Sequence, residues 1–184
     1  MKHLLKTTLA LAVATAFVAC SGNDSGKSTK DSTAQDHSKM ENMENNTGTS
    51  PVLKDDKLNA VYQHYIHLTT ALTNSDMAEA KIAANAIEAG AKDLESGSSI
   101  ASAAFKISSA TNIEAQRAAY SDLSNQVISL VKKSGLSKGQ LYVDYCPMAL
   151  NDKGAYWLSN QKEIRNPYFG EKMLTCGEVK ETLK

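Results

Sequence analysis

Between residues 52 and 135 the apolar side chains recur at steps of three and four, in four runs separated by short polar breaks. That period leaves room for little but packed helices. Leu58, Val61, Tyr62, Tyr65 and Leu72 share one face of a first helix. Met77, Ala80, Ala84, Ile87, Ala91 and Leu94 form the seam of a second, whose alanines let a neighbour approach closely. Gly97-Ser98-Ser99 marks a break, after which Ile100, Ala103, Ala104 and Ile107 predict a short third helix. Thr111-Asn112-Ile113-Glu114 has the form of a capping box. It predicts a fourth helix seamed by Tyr120, Leu123, Val127 and Leu130 and stopped by Gly135. Four helices with short connections predict a mainly α fold, an up-and-down helical bundle.

What precedes the helices reads as an address and a tether. Lys2 and Lys6 form a short positive region, and the apolar run Leu9 to Val18 is too short to span a bilayer. Phe17-Val18-Ala19-Cys20 resembles the lipobox of bacterial lipoproteins, in which the cysteine takes a diacylglycerol and becomes the mature N-terminus. Residues 1–19 are therefore expected to be a removed signal peptide, and Cys20 a lipidation site that anchors the chain to a membrane. From Ser21 to Pro51 only Ala34, Met40 and Met43 are apolar, so residues 20–51 are expected to form a lipidated, flexible tether. His37, Met40 and Met43 recur at three-residue spacing, but a polar linker supplies nothing to orient them as ligands.

Charge excludes further classes. The 20 basic and 20 acidic residues balance, which gives no electrostatic case for nucleic acid. Removing residues 1–19 takes away Lys2 and Lys6 and no acid, leaving 18 bases against 20 acids. Export also places the chain where disulfides form and persist. His64 and His67 sit one helical turn apart on the side away from the inferred core, and read as solvated histidines rather than as half of a metal site.

After Gly139 the texture changes. Leu141, Val143 and Tyr145 alternate with Tyr142, Asp144 and Cys146, a strand pattern. Six of the chain's eleven aromatics fall between Tyr142 and Phe169. The segment carries Tyr145-Cys-Pro-Met-Ala149, Glu163-Ile-Arg-Asn-Pro-Tyr-Phe-Gly170 and Met173-Leu-Thr-Cys176-Gly177. In these elements, and in Asn112-Ile-Glu-Ala-Gln-Arg117, the chain resembles a bacterial envelope domain family of unassigned function. That family occurs as secreted or lipidated single domains and fused to the periplasmic adaptor subunits of copper and silver efflux pumps. The resemblance implies an envelope location, a heavy-metal role and a metal-efflux adaptor as partner.

The sulfur chemistry can also be read from the residues. Cys146 and Met148 are two apart, so an extended backbone would point both sulfurs to one side. Met173 and Cys176 are three apart, which one helical turn brings together. If the segments meet, two thiolates and two thioethers converge, a donor set for copper(I) or silver(I). Tyr145, Trp157 and Phe169 are expected to shield it. The alternative is a Cys146–Cys176 disulfide with the methionines as filler, in a module that docks on another envelope protein through its aromatic segment. Arg165 is expected to pair with a carboxylate or with backbone carbonyls across that segment. No phosphate-cradling glycine loop, nucleophile elbow or zinc-protease helix is present, and no histidine lies near either cysteine in sequence. Residues 52–184 are thus expected to be a non-enzymatic helical bundle with a short-strand cap. Copper would be held by Cys146, Met148, Met173 and Cys176, for sequestration or transfer to efflux.

Overall fold

Local capping fixes where each helix begins. The computed structural model describes residues 50–184. The expected signal peptide, Cys20 and the group His37, Met40 and Met43 lie outside the described residues. Helix α1 (Asp56–Thr73) starts where Asp55 accepts a hydrogen bond from the Leu58 amide at 2.9 Å. Helix α2 (Met77–Ala91) starts where Asp76 accepts from the amides of Ala78 and Glu79, each at 3.0 Å. In both, a carboxylate satisfies amides that have no partner inside the helix.

Helix α3 (Gly97–Ser109) opens at the glycine that the sequence reading placed in a break. A Cβ on Gly97 would lie 1.6 Å from the Ala91 carbonyl oxygen, so only glycine lets α3 start so close to the end of α2. Helix α4 (Ile113–Ser134) is capped by Asn112, which accepts from the Ala115 amide at 2.8 Å. The cap thus sits one residue later than the Thr111 box implies, because Asn112 has the extended backbone of a cap residue. Gly135, at φ +78°, ends the helix as expected.

The fold is mainly α. Helix α1 packs on α2, α2 on α3, α3 on α4, and α4 returns against α1. Strand β1 (Val52–Leu53), before α1, pairs antiparallel with β2 (Leu136–Lys138), after α4, and so ties the two ends of the helical segment together. The expected seams are buried, with three adjustments. Met77 is only partly buried at the start of α2, Leu94 lies in the turn after α2, and Ile128 and Val131 are buried where Leu130 is only partly so.

A three-stranded antiparallel sheet follows, with β3 (Leu141–Cys146) between β4 (Ala155–Ser159) and β5 (Glu178–Leu183). Alternation predicts one solvated face for β3, yet Leu141, Tyr142, Val143 and Asp144 are all buried. Strand β4 packs on α4, and a buried hydroxyl seam fixes the joint. The Tyr65 hydroxyl accepts from the Leu158 amide (2.9 Å) and from the Tyr120 hydroxyl (2.8 Å), and meets Ser124 Oγ at 2.6 Å.

Candidate functional site

Register decides which sulfurs meet. In the β3–β5 ladder Tyr145 lies opposite Glu178, so one further step sets Cys146 opposite Gly177 and beside Cys176. The two Sγ atoms approach to 2.9 Å. Cys146 is fully buried at the end of β3, whereas Cys176 is half-buried in the segment leading into β5. The hydrogen bond that the Cys176 thiol makes to Cys146, with burial and then the charge of Cys146, pushes that thiol up to about 11. Cys176 therefore holds its proton firmly in the reduced state.

Asn166 organises the loop that carries Cys176. It is buried, and its side-chain amide donates to the Cys176 carbonyl at 2.7 Å. Its backbone amide donates to the Leu174 carbonyl at 2.8 Å, and its Oδ1 accepts from the Tyr168 amide at 2.8 Å. One asparagine thus locks the Asn166-Pro167 turn to the strand approach. Sequence reading found the turn and missed this brace.

The methionines are placed differently from each other. Extended backbone stops at Cys146. Met148 has helical angles (φ −84°, ψ −9°) and is 46% exposed, so strand alternation does not carry its sulfur to the side of Cys146. It lines a cleft with Arg117 and Phe169 instead. Met173 closes a 3-10 turn (Gly170–Met173), and its carbonyl accepts from the Cys176 amide at 3.1 Å. That is the one-turn relation expected for this pair. Among the described residues no hydrogen bond joins either methionine sulfur to the cysteines, and no three histidine, cysteine or acidic side chains converge on a common point.

The aromatic residues also separate. Trp157 is buried, its ring 6.0 Å from that of Tyr168 and packed on Gly177 beside Cys176. Tyr145 stacks on Tyr156 across β3 and β4, with centroids 4.5 Å apart, and Lys180 lies 5.4 Å above the Tyr145 ring. Phe169 lines the cleft with Met148. Of the expected shield, Trp157 alone abuts the cysteine segment through Gly177.

Arg165 is exposed and forms no ion pair among the described residues. The role expected of it falls to Arg117, in the first half of α4. Arg117 Nε donates to the Pro167 carbonyl at 2.9 Å, and its Nη2 donates to the Leu72 carbonyl (3.1 Å) and to Ser75 Oγ (3.0 Å). Gly170 packs on this clamp, because a Cβ there would stand 2.8 Å from Nη2, Ser75 Oγ and the Thr73 carbonyl oxygen. His64 and His67 are exposed, as expected, and His67 Nε2 lies 3.0 Å from Glu79.

Comparison with known proteins places this geometry in a family context. Residues 61–139 match a family described as a protein of unknown function (DUF3347). The matched segment runs through the helices and ends before Tyr145, so it excludes both cysteines of the pair. No curated protein matches the chain, and no solved structure does.

Proposed function

We propose that the chain is a lipid-anchored envelope protein whose folded part is a non-catalytic interaction module, an up-and-down helical bundle with its cap closed by a Cys146–Cys176 disulfide. The observation that carries this reading is the 2.9 Å separation of the two sulfurs. A disulfide needs about 2.05 Å, a small closing movement. Two thiolates sharing a tetrahedral ion at about 2.3 Å each stand roughly 3.8 Å apart, which requires the pair to open. Trp157 is buried and is no partner contact. The part of the aromatic segment that a partner protein can reach is Tyr156, which is 40% exposed.

One observation favours a second reading, soft-metal binding. Cys176 is half-buried rather than sealed, and Met173 lies one hydrogen-bonded turn away, so a copper(I) ion has a route to two thiols and a thioether. Met148 would join only if its turn swung round. In this reading the module sequesters copper or hands it to an efflux adaptor. Peptide mapping of the whole protein isolated from envelopes without reductant separates the two. A linked peptide pair containing Cys146 and Cys176 is expected. Free thiols, with anaerobic copper(I) uptake that weakens in a Met173→Leu variant, would overturn the first reading in favour of the second.

A further inference from the structure

Arg117 is a buried cation that forms no ion pair among the described residues. Its clamp uses Nε and Nη2 on three neutral acceptors. Nη1 has no hydrogen-bond partner among those residues, yet it is not one of the fully buried unsatisfied atoms. Three neutral oxygens orient the guanidinium, Glu114 three residues earlier favours its charge, and Nη1 is the one nitrogen left to take a further acceptor such as a carboxylate oxygen.

Arg117 lines a cleft of about 620 Å³, a size typical of small-molecule sites. Met148, Tyr168 and Phe169 give that cleft an apolar wall. Its outer lip is the turn Ala149–Asp152, where Leu150, Asn151 and Asp152 have φ of +56°, +57° and +63°. Three successive non-glycine residues thus sit in the left-handed region, which Asn151 and Asp152 tolerate and Leu150 adopts at a cost, and such strain concentrates at ligand clamps.

We propose that the cleft between the start of α4 and the left-handed turn binds a small monocarboxylate with an apolar body. The carboxylate sits against Nη1 of Arg117, and the body lies on Met148, Tyr168 and Phe169. Glu114 and Asp152 also line the cleft, opposite Arg117 and Lys153 in sign. Two acids at the same opening repel a dianion such as phosphate more strongly than a monocarboxylate, whose one carboxylate matches the one free nitrogen of Arg117. The site is independent of the state of Cys146 and Cys176, neither of which lines it.

The test is a titration of the whole protein followed by heteronuclear NMR, using phenylacetate, its neutral isostere phenylacetamide, and inorganic phosphate. Phenylacetate is expected to give saturable shifts at the amides of residues 148–153 and 168–169. Phenylacetamide and phosphate are expected to bind at least about ten-fold more weakly. Ala118 is an exposed α4 residue lining the cleft, so Ala118→Trp fills it without touching the Arg117 clamp. That variant should keep its melting temperature and lose the shifts. Equal binding of the amide or of phosphate, no saturation, or shifts unchanged in Ala118→Trp would each overturn the proposal.

Discussion

Asp144 is the most exacting single residue in the chain. It lies in the central strand with its side chain inaccessible, and neither carboxylate oxygen has a hydrogen-bond partner among the described residues. Burial pushes its pKa up to about 7 from the ordinary 3.8. The folded chain therefore keeps a proton on Asp144 at pH values where the unfolded chain has released it. Stability is fullest below the unfolded value and declines as pH rises from about 4 to about 7. At 1.36 kcal/mol per unit, the decline has a ceiling of about 4 kcal/mol. Asp144→Asn keeps the shape and removes the charge, so its unfolding free energy should lack that slope. Urea unfolding across this pH range checks it. Parallel profiles for the two proteins would show that Asp144 ionises without penalty.

Two tyrosines on α1 make opposite predictions from the same helix. Tyr65 joins α1 to α4 and β4 through one saturated hydroxyl, so Tyr65→Phe strands the buried Leu158 amide and should cost about 1–3 kcal/mol. The Tyr62 hydroxyl is buried without a partner, and burial raises its pKa steeply. Tyr62→Phe should be neutral or stabilising, because it deletes a desolvated group that gains nothing. Chemical denaturation of both variants gives the comparison, and equal losses would contradict it. The contrast also marks what could be read in advance. The apolar period and the Asp and Asn caps are local, so helix positions were legible from residue spacing. Which hydroxyl finds a partner depends on where β4 docks, and that is a contact across 93 residues. The same limit applies to the site. The meeting of Cys146 with Cys176 rests on the β3–β5 register. Met148 was misread because the chain leaves the strand at Pro147 and turns. Arg117 gains its role only when the Asn166–Gly170 turn folds over it.

At the scale of the molecule the cap is attached to the helices and closed upon itself by different means. Attachment comes from the Tyr65–Leu158 bond and from Arg117, which reaches both the α1–α2 turn and Pro167. In the proposed oxidised form closure comes from a Cys146–Cys176 disulfide, whose two ends both lie within the cap, 30 residues apart. On the chain-entropy model a bond closing a loop of that length stabilises by about 3.5 kcal/mol. No residue of α1 to α4 lies inside the closed loop. Reduction should therefore loosen the cap more than the helices. In hydrogen exchange of the oxidised and reduced protein, amides in β4, in β5 and around residues 166–176 should exchange up to roughly 300-fold faster after reduction. Amides in the middle of α1 and α4 should change far less, since β1–β2 pairing and the helix–helix packing do not involve the pair. A uniform rise over helices and cap would mean that the Tyr65 and Arg117 joints make the fold one cooperative unit. No rise anywhere would show that the cap keeps its closure through Asn166 and the β3–β5 ladder alone.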